Sequence, residues 1–150
     1  MRIEDELKMK KFANAQDRAV LSIMFTGNWL SDHMNSLLKH WGISDQQYNV
    51  LRILKGQKGK PINLYMIRER MIHRMSNATR LVEKLRIKGF VRREICESNR
   101  RMVEIVITKE GLRMLDEINE IVGLHRKVTN KKLTDEEATI LGNLLDKLRA

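Results

Sequence analysis

Two clusters of side chains carry the chemistry of this chain. Arg74, Ser76, Asn77, Thr79, Arg80 and Lys84 fall within one short stretch, and Asn99, Arg100 and Arg101 follow a little further on. Ser, Thr, Asn and Arg hydrogen-bond base edges in a major groove, and Arg and Lys neutralise phosphates. Charge collects in the same region. Arg68 to Arg101 holds eleven Lys or Arg against four Glu, a local net charge of +7 out of +10 for the whole chain. The competing reading of such a run is a solvated, solubilising surface. The periodicity of the intervening apolar residues decides between them.

That periodicity predicts a short helix from Asn63 to about Met71 and a second from Met75 to Lys88, stopped by Gly89 in a left-handed cap. On the second, Ala78, Leu81, Val82 and Leu85 make one stripe. Ser76 and Arg80 lie opposite it, flanked by Asn77, Thr79 and Lys84. Glu83 shares the polar face, where it repels phosphate, and stands three residues from both Arg80 and Arg86 as pairing partners. Phe90–Cys96 and Met102–Thr108 read as two strands joined by Glu97–Arg101, with Val103, Ile105 and Ile107 alternating along the second. Arg100 and Arg101 therefore sit at a hairpin tip. A helix pair followed by a basic hairpin favours nucleic acid over mere solubility.

The flanks read as helices. Glu4 to about His40 holds one or two amphipathic helices, with Gly27 a candidate break. Ser44 and Gln47 form a capping box for a helix from Asp45 to about Lys55 that buries Tyr48, Leu51 and Leu54. Gly56–Pro61 is a turn. Thr108 caps a helix that carries Leu112, Leu115, Ile118 and Val122 and ends near Arg126, where a basic run to Lys132 reads as loop. Thr134 and Glu137 form a second capping box. The last helix, from Asp135 to about Arg149, buries Leu141, Leu144, Leu145 and Leu148. Apolar stripes on both terminal segments, with no obvious cover inside one small domain, predict packing across a two-fold axis in a homodimer.

Composition bounds the rest. A chain of 150 residues with a pI of about 10.0 is one basic domain that suits a polyanionic partner. Ala19–Ser31, the longest charge-free run, is too short and too polar to span a membrane, and the charged N-terminus lacks a signal-peptide core. Cys96 is the only cysteine, so no intrachain disulfide forms, which predicts a reducing, cytoplasmic setting. Arg92, Arg93 and Arg100 can lower its thiol pKa, but it has no resolving partner in the chain. His33 and His40 lack a third ligand at metal-site spacing, so no metal is expected. Phe25, Trp29 and His33 recur at every fourth position; they suit an effector pocket, or equally a core or dimer stripe. No phosphate loop, nucleophile elbow or carboxylate pair appears, so neither catalysis nor a cofactor is expected. An RNA-binding or ribosome-associated basic protein is the alternative. The few aromatics in the basic segment, Tyr65 and Phe90, argue against it because single-stranded RNA recognition uses stacking.

Specific residues carry a family resemblance. Ser76-Asn77-Ala78-Thr79-Arg80-Leu81-Val82-Glu83-Lys84-Leu85, Lys88-Gly89-Phe90-Val91-Arg92-Arg93, and Asn99-Arg100-Arg101 followed by Ile105-Val106-Ile107-Thr108-Lys109-Glu110-Gly111 resemble the recognition helix, wing exit and wing tip of the MarR family, the multiple-antibiotic-resistance regulators. The resemblance implies a mainly α fold with a small β-hairpin wing (α+β), a winged helix-turn-helix. Residues 44–108 would form its DNA-binding part, and 1–40 and 109–150 its dimerisation helices. It further implies a homodimeric transcription regulator, a repressor on a palindromic double-stranded operator, and a small-molecule effector. Two positions depart from the family pattern. Asn99 stands where relatives carry an acid that orients the arginine two residues on, here Arg101. Ile72 stands where many have a different, often smaller residue.

Overall fold

The computed structural model describes residues 2–95, 103–129 and 132–150, the side chains of 125–129 apart. A short helix α1 (Ile3–Glu6) precedes the long α2 (Ala15–Leu38) and is tied to it by an ion pair between Glu4 and Arg18 at 2.7 Å. Asn14 starts α2 by accepting the Asp17 N–H at 2.8 Å. Gly27 does not break this helix. One interior glycine costs only about 1 kcal/mol relative to alanine, too little to end a helix of 24 residues. A single 3-10 turn, Lys39–Trp41, closes on Gly42 in the left-handed conformation (φ +62°).

The Ser44–Gln47 capping box opens α3 (Asp45–Gly56), with the two reciprocal hydrogen bonds at 3.2 and 3.0 Å. Tyr48, Leu51 and Leu54 are buried on it as expected, together with Val50. Asn63 caps α4 (Leu64–Arg70), and α5 spans Ala78–Ile87. Strands β2 (Val91–Ile95) and β3 (Val103–Ile107) follow, then α6 (Lys109–Thr129) and α7 (Asp135–Arg149).

The sheet has one more strand than the expected hairpin. β1 (Ile62–Asn63) pairs antiparallel with β3, Ile62 opposite Ile105, in the order β1-β3-β2. A two-residue strand shows no alternation, so sequence pattern alone does not reveal it. The sixth helix also outruns its expected end at Arg126 and continues to Thr129. The basic residues that suggested a loop suit the negative C-terminal end of a helix.

The main core runs from Leu38 to Val122. It packs Leu51 and Leu54 of α3, Ile67 of α4, Val82 and Leu85 of α5, Val91 and Ile105 of the sheet, and Leu115 and Ile118 of α6. The last helix is different. None of its residues is buried in this chain: Leu141, Leu144 and Leu148 are exposed and Leu145 is half-buried, against the expectation that α7 buries them. Val20, Met24, Trp29 and Leu30 of α2 and Leu124 of α6 are exposed as well.

Candidate nucleic-acid interface

α5 begins later than its apolar spacing suggested. The Asn77 side-chain oxygen accepts the Arg80 N–H at 3.0 Å, so the helix starts at Ala78. Met75, Ser76 and Asn77 precede it, contrary to the expected start at Met75. Short polar side chains compete with helical backbone bonds and favour caps, and here Asn77 wins that competition. Asn77 therefore has its carbonyl oxygen committed and only its amide group free. Ser76 is half-buried in the turn ahead of the helix, where its N–H donates to the His73 carbonyl at 3.0 Å.

The far end of α5 is a Schellman turn. The Phe90 N–H donates to Leu85 O at 3.0 Å, and the N–H of Gly89 (φ +77°) donates to Arg86 O at 2.9 Å. Thr108 then clamps three elements. Its hydroxyl donates to Gly89 O at 2.7 Å and accepts the Gly111 N–H at 3.0 Å, while its own N–H donates to Phe90 O at 3.0 Å. Gly111 is needed for this approach, because a Cβ there would lie 2.2 Å from Phe90 O. Thr108 thus joins the end of α5, the sheet and the start of α6.

Thr79, Arg80 and Lys84 are exposed on one face of α5. Together with Asn77, Glu83 and Arg93 they line an open groove of about 690 Å³ between helix and wing. Among the described residues, Arg74, Arg80 and Lys84 make no ion pair, so their charges face solvent. Glu83 does not pair with Arg80. It receives Arg86 at 2.8 Å and Arg93 of β2 at 2.8 Å. The Arg86 hydrogen bonds hold the Glu83 carboxyl below its ordinary range against a smaller desolvation effect, and the charges of Arg86 and Arg93 add to the lowering. Glu83, the one carboxylate among the described residues that line this groove, is thus already paired with two arginines. Sequence reasoning missed Arg93. Period-two alternation from buried Val91 puts Arg93 on the side of β2 that faces the core and α5, which is the signal that finds it.

Asn99, Arg100, Arg101 and Cys96 lie outside the described residues. The candidate effector residues are only partly gathered. Trp29 and His33 stack with ring centroids 5.8 Å apart, and Phe25 and Trp29 border a cavity of about 650 Å³ against α1, whose lining does not include His33. Among the described residues no group of His, Cys, Asp and Glu is placed to hold a metal ion, and no helix is long and apolar enough to cross a membrane.

Residues 43–103 match the model of the MarR family. No curated protein sequence matches significantly. Solved structures match closely. A MarR transcription factor from Planctomyces limnophilus is 26% identical, with a TM-score of 0.69 over 91% of this chain and 98% of the other. A Cys-to-Ser mutant of E. coli MarR complexed with operator DNA is 23% identical, with a TM-score of 0.74 over 92% and 99%. The S. aureus MepR–DNA complex is 17% identical, with a TM-score of 0.76 over 87% and 94%. The helices with their small antiparallel sheet are the winged-helix fold of these proteins.

Proposed function

We propose, from the match of residues 43–103 to the MarR family model, that the chain is a MarR-family DNA-binding transcription regulator, a repressor that acts as a homodimer on a palindromic double-stranded operator. The observation that carries the proposal is the unpaired cationic face of α5: Arg80 and Lys84 point outward beside Thr79, and the wing strand is held against the same helix through Arg93 and Glu83. Arg80 would read a base edge in the major groove, with Thr79, Ser76 and the Asn77 amide group beside it. Lys84, Arg74 and, on the family resemblance, Arg100 and Arg101 would neutralise phosphates or enter the adjacent minor groove.

The homodimer reading is supported by the apolar residues that α2, α6 and α7 leave exposed, with Leu141, Leu144 and Leu148 of α7 at helical spacing as one uncovered stripe. We take the cavity bordered by Phe25 and Trp29 as the candidate seat of a small-molecule effector. Family members are transcription regulators rather than enzymes.

Selection of binding sites from random duplex DNA by the purified protein tests the proposal. The expected result is an inverted repeat with half-site centres about 10 bp apart, or a multiple of that. Affinity should fall steeply with salt, each neutralised phosphate adding about −0.9 to the slope of log K against log salt. Tighter binding to hairpin RNA than to any duplex would overturn it.

A further inference from the structure

The turn that leads into α5 is held rigidly, yet it presents two large apolar side chains to solvent. Met71 is buried at its start. The Ile72 N–H donates to the Asn49 side-chain oxygen of α3 at 3.0 Å, and His73 Nε2 lies 3.9 Å from Asp45 at the start of α3. The Ser76 N–H closes the turn on His73 O. With the backbone so tied, Ile72 is 81% exposed and Met75 is 99% exposed, the highest values among the exposed large apolar side chains. Arg74 lies between them, and Arg80 lies in the first turn of the helix. Met75 also lines a groove of about 430 Å³ with Tyr65, Arg68, Ser76, Asn77 and Thr79.

An isolated exposed apolar residue needs no explanation. Two in one anchored turn, set among arginines and immediately ahead of the helix that faces the groove, suit a partner that is anionic overall and has local apolar features. Duplex DNA has one such feature on its major-groove edges, the C5-methyl of thymine. Methionine is flexible and polarisable, so it can follow a methyl group without demanding one fixed geometry. On the DNA-binding reading above, on which this step rests, we propose that Ile72 and Met75 form an apolar contact for thymine methyls, with Met75 the principal reader. Specificity at that position then comes from burial of a methyl rather than from a hydrogen bond.

The test replaces each thymine of the selected operator, one symmetric pair at a time, by deoxyuridine, which removes the methyl and keeps the pairing. Wild-type protein should lose about fourfold in affinity per methyl at one such pair, the factor that corresponds to about 0.8 kcal/mol per buried carbon. Met75→Ser should bind thymine and deoxyuridine operators equally at that pair, and Ile72→Ser should narrow the difference. Both variants should keep the wild-type thermal midpoint, because both side chains are exposed. Wild-type binding that is unaffected by deoxyuridine anywhere, or affected equally in wild type and Met75→Ser, overturns the methyl contact while leaving DNA binding intact. Failure to bind any duplex overturns the DNA-binding reading itself, and the methyl contact with it.

Discussion

Glu83 of α5 and Arg93 of β2 meet at 2.8 Å, Oε2 to Nη2, across the junction of helix and wing strand. The same carboxylate holds Arg86 of its own helix. One acidic residue therefore occupies two arginines and ties the wing strand to the helix. Glu83→Gln should release both. Non-specific DNA affinity should rise and the salt slope should steepen by up to about 0.9 per freed arginine, so discrimination between operator and random duplex narrows. Titrations across a salt series check this; an unchanged slope would show that neither arginine can reach phosphate.

The same contact sets a pH dependence. The Glu83 carboxyl is held below its ordinary value of 4.5, chiefly by the Arg86 hydrogen bonds. A carboxyl with a lowered folded pKa contributes stability that is full above its unfolded value and is lost as pH falls through the folded one. The pair should therefore persist at pH 4.5, where an ordinary glutamate is half protonated, and open only below it. Carboxyl-carbon NMR of Glu83 reads this directly. A midpoint at or above the ordinary value would contradict the pairing.

Two glycines of α6 should respond to alanine with opposite signs. A Cβ on Gly111 meets the Phe90 carbonyl, whereas one on Gly123 meets nothing within 4 Å. Gly111→Ala should destabilise by about 1–3 kcal/mol, as overpacking does. Gly123→Ala should stabilise by up to about 1 kcal/mol through helix propensity. Chemical denaturation of the two variants in parallel gives the comparison, and equal effects would mean that the clamp around Thr108 yields easily.

The exposed leucines of α7 predict association. The wild-type chain should sediment as a dimer at micromolar concentration, and Leu144→Asp should shift it to monomer. The buried cluster around Leu51, Val82 and Leu115 contains no α7 residue, so the helical circular dichroism of that part should survive. A stable, folded wild-type monomer would remove the homodimer from the proposed function.

Arg80 and Arg101 should fail differently. Arg80→Ala should relax specificity at one symmetric pair of positions by about 1–3 kcal/mol, the worth of a good bidentate base contact, with little loss of non-specific affinity. Arg101→Ala should weaken binding to most sites and flatten the A/T preference beside each half-site. Competition against mutated operators separates the two. Wild-type behaviour by both would show that the DNA surface lies elsewhere.

The amino-acid sequence by itself determined the features that close within four or five residues. The Ser44–Gln47 and Thr134–Glu137 capping boxes, the stop at Gly89, the cap at Thr108 and the stripe of Ala78, Val82 and Leu85 need only local hydrogen bonding and helical period, and each stands where the spacing put it. Tertiary structure decided the relations between distant residues. Ile62 became a strand only because Ile105 offered its edge, and Glu83 chose Arg93 over Arg80 because the Gly89 turn carries β2 back against α5. The start of α5 was legible only to within a turn, since Ser76 and Asn77 are both able caps, and the arrangement of the turn from His73 to Ser76 left the role to Asn77. The leucines of α7 show the same limit from the other side. Their period marks a helix with an apolar face, but what covers that face depends on packing partners that local sequence does not specify.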